Sequence, residues 1–192
     1  MNRRWILAAL PAAAWLAACK DKPAAAPSAA AGAGATPVSL EAIAAEAQGF
    51  NVGSTMAART VYAFFDPQCP HCAALWVAAK PLRSQARFVW IPVSLLNATS
   101  TAQGAALLAA PDPVAAMDAH EASMRDQRGG IAGGGDEARK QAVKKNTELM
   151  TRFGFNSVPT LVGKHAQTGE LVTIEGSAPT SVLAQRLGLQ AS

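Results

Sequence analysis

The chain has 192 residues, of which 50% are hydrophobic but only 6% aromatic, and its formal net charge is +4. Because 44 residues are alanine, which contributes little when buried, the core has to be built from a smaller set of larger side chains. The basic residues are scattered, which argues against a nucleic-acid-binding protein. No apolar run in the body of the chain is long enough to span a bilayer, and no fixed-period repeat indicates a solenoid.

Residues 1–18 have the pattern of a signal peptide. A pair of arginines precedes an apolar stretch at 5–16 that is too short for a permanent membrane helix. Cys19 follows, and the sequence Leu-Ala-Ala-Cys resembles the lipobox of bacterial lipoproteins, in which the cysteine is lipidated and becomes the new N-terminus. We therefore expect a lipid anchor at Cys19; an ordinary signal peptide with an incidental cysteine is the alternative. Lys20 stands where Asp usually signals inner-membrane retention, so the outer membrane is favoured.

Residues 19–39 consist mainly of Ala, Pro, Gly, Ser and Thr. Such a segment has too few side chains to bury to offset the entropy of ordering it, so we predict a tether. About twenty residues of flexible chain reach roughly 25 Å. The folded domain is predicted at 40–192.

The remaining pattern alternates strand and helix signals, and the densest strand signal is the β-branched and aromatic run at 60–65. Strands are predicted at 60–65, 88–93, 160–163 and 170–175, and helices at 40–48, 69–79, 101–109, 113–124, 136–153 and 179–188. This order predicts an α/β fold with an inserted helical subdomain at about 98–154.

The chemistry-bearing motif is Cys69-Pro70-His71-Cys72, directly after the first strand. At i and i+3 on a helix, the two cysteine side chains share one face, so they can form a small disulfide ring. Cys69 at the helix N-terminus would be stabilised as a thiolate by unsatisfied amides and the helix dipole. Pro70 suits the first helical turn, and His71 adds a donor or partial positive charge. The motif therefore indicates a redox-active pair.

Two other uses of these cysteines remain open. A structural disulfide closing so short a ring would add little stability. A metal site could combine the two cysteines and His71 with either His120 or His165, although zinc sites usually bring a second close ligand pair. Otherwise His120 and His165 are expected to be surface or loop histidines. The large aromatic side chains are expected in the core: Phe64, Phe65, Trp76 and Trp90.

The run at 61–72 resembles the active-site segment of periplasmic thioredoxin-fold proteins, and is most similar to the catalytic domains of the DsbG and DsbC family. The likeness extends over about residues 58–190 through four further stretches: Asp112-Pro113, Glu121-Ala122-Ser123, Asn146–Met150 and Phe155–Thr160. The resemblance implies a thioredoxin-like fold and a cis Pro159 whose loop lies against the cysteines. It also implies that Val158, Pro159 and Thr160 bind substrate backbone as an added strand.

Three features depart from that family. Pro70-His71 is the dipeptide of the oxidase DsbA, and Val158 also resembles DsbA, whereas the isomerases usually carry threonine there. Only about thirty residues separate Cys19 from the fold, which leaves no room for an N-terminal dimerisation domain, so a monomer is expected. Thioredoxin has a buried acid six residues before its first cysteine, and Ala63 holds that place here.

These observations predict a periplasmic thiol:disulfide oxidoreductase, anchored by lipid. Cys69 would form the mixed disulfide with a substrate, Cys72 would resolve it, and no metal or cofactor beyond this pair is expected. The predicted partners are exported proteins and a membrane redox protein, and no nucleic acid. Whether the protein acts as oxidase, isomerase or reductase stays open. The rival functions are a copper or zinc binding lipoprotein and a chaperone-like holdase.

Overall fold

The computed structural model describes residues 35–191, which form a five-stranded sheet with helices on both faces. The helices are α1 (Leu40–Glu46), α2 (Pro70–Ala79), α3 (Ala98–Ala109), α4 (Pro113–Arg125), α5 (Glu137–Arg152) and α6 (Thr180–Leu187). The strands are β1 (Phe50–Gly53), β2 (Thr60–Phe65), β3 (Arg87–Pro92), β4 (Thr160–Lys164) and β5 (Leu171–Glu175). Within 35–191, no helix has the length and apolar character needed to cross a bilayer. The predicted signal peptide, Cys19 and most of the predicted tether lie outside the described residues.

The strand order is β1-β3-β2-β4-β5, and the parallel pair β2 and β3 forms its centre. β4 runs antiparallel to β2, with Phe64 opposite Thr160, and Phe65 lies opposite Pro92 of β3. The ends of β2 and β3 and the start of β4 therefore meet at one edge of the sheet. The loops that follow β2 and β3 and precede β4 all leave the sheet there.

The short strand β1 was not predicted from the sequence. It pairs antiparallel with β3, with Phe50 opposite Trp90, and buries Phe50 and Val52 on one face. Four residues are too few to show a reliable alternation of apolar and polar side chains. The conformation of β1 is therefore set mainly by its pairing with β3. Gly49 lets the chain approach β3 closely, because a Cβ there would lie 2.5 Å from the Trp90 carbonyl oxygen.

Each face of the sheet has its own hydrophobic cluster. On one face α2 and α6 pack on the sheet, and α2 contributes a stripe at helical spacing: Cys72, Leu75, Trp76 and Ala79. On the other face α1 and α5 cover Phe64 and Ile91. The predicted burial of the four large aromatic residues is confirmed, since Phe64, Phe65, Trp76 and Trp90 are at most 1% exposed. Trp76 and Trp90 meet edge to face with ring centroids 4.9 Å apart.

Three helices, α3, α4 and α5, lie between β3 and β4. α3 packs on α5, where Gly104 allows close contact with Val143. α4 crosses to the other side and contacts α2, with the Trp76 indole Nε1 donating to Asp118 at 2.7 Å. The predicted α/β architecture with a helical insert is thereby confirmed. The insert places α3 and α4 beside the loop that joins β2 to α2.

Candidate active site

Cys69 and Cys72 lie at the sheet edge where β2 ends and α2 begins. Cys69 is the N-cap residue of α2, its side chain makes no cap hydrogen bond, and Pro70 follows in the first turn. Proline fits there because an amide proton at that position has no helical acceptor. Both cysteines are reduced, with no disulfide bond between them. Cys72 is completely buried, whereas Cys69 is 6% exposed and Pro70 and His71 are exposed beside it.

The thiol of Cys69 has its pKa lowered to about 6. The main cause is the Cys72 thiol, which donates a hydrogen bond to the Cys69 sulfur, while burial opposes it. The backbone amides of Cys72 and His71, and the charge on His71, lower this pKa further. Cys69 is therefore largely a thiolate at neutral pH, and thiolate is the form that attacks disulfides.

Cys72 has the opposite environment. Burial raises the pKa of its thiol well above the ordinary value, and its hydrogen bond to Cys69 and the negative charges of Cys69 and Asp66 act in the same direction. Cys72 thus stays protonated while Cys69 is ionised. The pair has one ionised sulfur at the start of α2 and one protonated sulfur in the core behind it.

The loop before β4 covers the cysteine pair. The Val158–Pro159 peptide bond is cis, which confirms the geometry implied by the resemblance. The Val158 carbonyl oxygen lies 3.5 Å from the Cys69 sulfur, which donates to it as a thiol. Val158 is half-buried and Pro159 is buried. Thr160 is fully buried and its hydroxyl donates to the Ser157 carbonyl at 2.7 Å, so this side chain points into the loop and away from the surface.

Asp66 organises the loop ahead of Cys69, and the sequence reasoning gave it no role beyond ending the strand. Its buried carboxylate accepts four hydrogen bonds. The donors are the amides of Gln68, Leu95 and Leu96, at 2.8 to 3.0 Å, and the hydroxyl of Ser100, at 2.6 Å. Asp66 therefore joins the end of β2 to the start of α3. It also holds a buried negative charge near Cys72.

His120 was predicted to be a surface or loop histidine, and that prediction is wrong. It lies on α4 and is completely buried. Its Nδ1 accepts the amide of Ile131 at 3.2 Å, so Nε2 carries the proton and donates to the Pro67 carbonyl at 2.7 Å. Burial lowers its pKa, which favours this neutral form. Met117, His120 and Glu121 are the buried residues of α4, and their i, i+3, i+4 spacing places them on one face of the helix. This spacing is the sequence signal from which the burial of His120 could have been predicted.

A second contact holds the same loop from α3. Gln68 donates to Gln103, and Gln103 donates to the carbonyls of Gly129 and Ile131 at 2.7 and 2.8 Å. A glycine-rich loop at 129–135 packs closely against His120, because a Cβ on Gly130 would overlap the ring of that histidine. Gly130 has a φ of +89°, which favours glycine there. The loop before Cys69 is thus fixed by two helices of the insert.

The proposed metal ligands do not come together. Both ring nitrogens of His120 are already engaged. His165 follows the far end of β4, at the edge of the sheet opposite the cysteines, and its Nδ1 accepts the Thr168 amide. Among the described residues, no group of three or more His, Cys, Asp and Glu side chains is placed to hold a metal ion. Neither histidine is therefore placed to bind a metal ion together with the two cysteines.

Comparison with known proteins agrees with this arrangement. Residues 52–191 match the thioredoxin-like domain family. The chain belongs to this family. A thiol:disulfide interchange protein DsbG of Pseudomonas aeruginosa is 33% identical to this thioredoxin-like chain over 139 residues, 71% of the chain and 54% of that protein. The DsbG of Escherichia coli is 28% identical over 103 residues, 53% of the chain and 42% of that protein.

The thioredoxin-like chain spans about half the length of these two relatives. Among solved structures, the catalytic domain of Proteus mirabilis ScsC is similar with a TM-score of 0.58 and 17% identity, covering 77% of this chain and 96% of that domain. At that identity the likeness supports the fold alone. The predicted thioredoxin-like fold is confirmed.

Proposed function

We propose that this thioredoxin-like chain is a thiol:disulfide oxidoreductase that exchanges disulfides with exported proteins. The observation that carries the proposal is the opposed ionisation of Cys69 and Cys72 at the start of α2, beneath a cis-proline loop. The similarity to DsbG proteins over 139 residues supports the same reaction class. The redox-active group is the cysteine pair, and the mechanism needs no further cofactor.

The reaction proceeds by two exchanges. The Cys69 thiolate attacks one sulfur of a substrate disulfide, forming a mixed disulfide and releasing the other substrate sulfur as a thiolate. Cys72 then loses its proton and attacks Cys69, which forms the Cys69–Cys72 disulfide and releases the second substrate thiol. Two electrons pass from the pair to the substrate. The reverse sequence oxidises a substrate dithiol.

The substrate segment binds in extended form along the loop before β4. Val158 and Pro159 lie at the Cys69 sulfur, so a backbone added beside this loop brings its cysteine to the attacking atom. Thr160 acts from inside, by holding the loop through Ser157. His71 lies exposed next to Cys69 and stabilises its thiolate.

Two cysteine variants test the mechanism. Cys69→Ser is expected to abolish exchange with a model protein disulfide, because no thiolate is left at the surface. Cys72→Ser keeps the first step and should accumulate a mixed disulfide that a nonreducing gel detects. Exchange that persists in Cys69→Ser, or a Cys72→Ser variant that traps no substrate while wild type turns over, would contradict the proposal.

The direction of electron flow is a separate question, and a redox titration against glutathione answers it. The low pKa of Cys69 stabilises the reduced form and favours an oxidising potential. A reduction potential of about −120 mV identifies a strong oxidant, and one of about −270 mV identifies a reductant. Isomerase activity is measured on a scrambled disulfide protein in the same series.

The proposal extends to the cellular setting. We infer that the chain is exported to the periplasm as a monomer, is anchored to a membrane through a lipid on Cys19, with the outer membrane favoured, and is cycled by a membrane redox partner. The sequence at 1–19 supports export and lipidation. Stable disulfides in substrate proteins are typical of oxidising compartments such as the periplasm, which agrees with export.

A further inference from the structure

Glu121 is a buried carboxyl group that the exchange reaction described above does not use. It lies on α4, is 2% exposed, and its Oε2 is buried without a hydrogen-bond partner among residues 35–191. Burial raises its pKa to about 7. A charged carboxylate without partners is costly in such a place, so this group gains or loses a proton readily near neutral pH.

The packing of α4 places Glu121 beside the start of α2. Asp118 of α4 accepts a hydrogen bond from Trp76 in the second half of α2, and His120 bonds Pro67 just before α2. α4 therefore contacts both α2 and the loop that precedes it. Glu121 follows His120 on α4, and it lies close enough to Cys69 for the charge of that cysteine to act on its carboxyl group.

Several ionisable groups belong to the elements that pack here. They are Cys69 and His71 at the start of α2, Asp66 in the loop before it, Asp118, His120 and Arg125 on α4, and Asp126 and Arg128 in the following loop. α3 contributes none. After burial, Arg125 and Cys69 have the largest effects on the pKa of Glu121: Arg125 lowers it and the negative charge of Cys69 raises it. The side chains of Asp126 and Arg128 are exposed and pair with each other.

We propose that Glu121 exchanges a proton in step with the redox state of the cysteine pair: it is protonated beside the Cys69 thiolate and ionised when Cys69 is in a disulfide. This inference rests on the proposed oxidoreductase function. The low-dielectric site then holds one negative charge on Cys69 or Glu121 in both redox states, in addition to the hydrogen-bonded Asp66.

The proton and electron balance follows from this exchange. When a substrate dithiol reduces the Cys69–Cys72 disulfide, two electrons pass to the pair and the substrate forms its own disulfide. The dithiol releases two protons. One protonates Cys72 and the other protonates Glu121, because Cys69 remains a thiolate. The negative charge moves from Glu121 to Cys69, and the reverse reaction returns it.

Infrared difference spectroscopy of the whole protein tests this directly. The reduced-minus-oxidised spectrum near pH 7 should show a C=O band of a protonated carboxylic acid in wild type. The band should be lost in Glu121→Gln and kept in Asp126→Asn, which removes a nearby exposed carboxylate. A wild-type spectrum without the band, or a band that survives in Glu121→Gln, overturns the inference.

The size of this band gives a second readout. At a fixed pH near 7, the ratio of protonated to ionised Glu121 should be at least about threefold higher in the reduced protein than in the oxidised protein, which is half a pKa unit, because the negative charge of Cys69 then lies beside it. Asp126→Asn should show the same difference as wild type, and an equal ratio in the two redox states contradicts the coupling. Wild-type exchange activity is measured on the same samples. If wild type exchanges disulfides but shows no carboxyl band, only this inference fails; if it exchanges none, the proposed function fails.

Discussion

Cys69 and Cys72 are three residues apart, yet their environments are opposite. Cys69 caps the helix, faces free amides and reaches the surface, whereas Cys72 lies one turn further on, inside the core. The hydrogen bond between them lowers the pKa of one thiol and raises that of the other. In the proposed exchange, this asymmetry would make Cys69 the sulfur that attacks a substrate and Cys72 the sulfur that resolves the mixed disulfide.

The ionisation of Cys69 predicts the pH dependence of alkylation. In the reduced protein, iodoacetamide should modify Cys69 at a rate that rises with pH and has its midpoint at about 6, since only the thiolate reacts. Mass spectrometry of the trapped protein measures the rate and the site. Cys72→Ala loses the hydrogen bond that contributes most to this shift, so its midpoint should lie higher. A wild-type midpoint near that of a free thiol, or first modification at Cys72, would contradict the assignment.

The raised pKa of Glu121 should also make the free energy of unfolding depend on pH. Its pKa is about 7 in the folded protein against an ordinary 4.5, so the folded state binds the proton more tightly than the unfolded state. The resulting stabilisation is full below pH 4.5 and is lost as the pH rises through 7. Glu121→Gln should therefore increase the free energy of unfolding at pH 8 by about 2 to 3 kcal/mol relative to its effect at pH 4.5.

Urea unfolding of the reduced proteins at pH 4.5 and pH 8 measures this difference. Asp126→Asn, whose carboxylate is exposed on the same helix end, is the matched control and should show little pH-dependent change. If Glu121→Gln shifts the free energy of unfolding equally at both pH values, Glu121 is not a buried group with a raised pKa.

At the scale of elements, the active-site loop is held between the sheet and the helical insert. Asp66 binds the chain after β3 and the first turns of α3, Gln68 meets Gln103 of α3, and Pro67 meets His120 of α4. Each contact joins residues more than 25 positions apart in the sequence. The insert thus fixes the position from which α2 begins.

Asp66→Asn tests this arrangement. The amide would turn an NH₂ group towards backbone donors, so we expect the free energy of unfolding to fall by about 2 to 4 kcal/mol, as is usual for buried hydrogen-bonded charges. Removal of the negative charge should also lower the pKa of Cys72. Ser100→Ala, which deletes one of the four donors, should cost about 1 kcal/mol. Urea unfolding measures both, and a loss in Asp66→Asn no larger than in Ser100→Ala would contradict the central role of Asp66.

Prediction from sequence succeeded where structure depends on local pattern. β2 and α2 were predicted because β-branched and aromatic residues precede a Cys-Pro helix start, and the cis bond at Pro159 followed from a family resemblance. β1 was missed because its four residues owe their conformation to β3. The burial of His120 and its bond to Pro67 were missed because they arise from how the insert folds back on α2.

At the scale of the whole molecule, the chain before the fold meets the C-terminal end of α5. The Thr36 amide donates to the Arg152 carbonyl at the end of α5, and α1 then begins at Leu40. The end of α5 continues through residues 153–157 to the cis-proline loop. The last residues of the predicted tether therefore join the fold at the end of α5, and α2, which carries the two cysteines, begins elsewhere in the fold.

The predicted anchor has a direct consequence for fractionation. In a Gram-negative host, the full-length chain should label with a radioactive fatty acid and sediment with membranes, because residues 16–19 form a lipobox-like sequence. Cys19→Ser should lose the label and move to the soluble fraction. Cys72→Ser serves as the matched control, since it removes a thiol without touching the lipidation site. Its label and sedimentation should equal those of wild type. Wild-type protein that carries no fatty acid, or Cys19→Ser protein that still sediments with membranes, would show that Cys19 is an incidental cysteine next to an ordinary signal peptide.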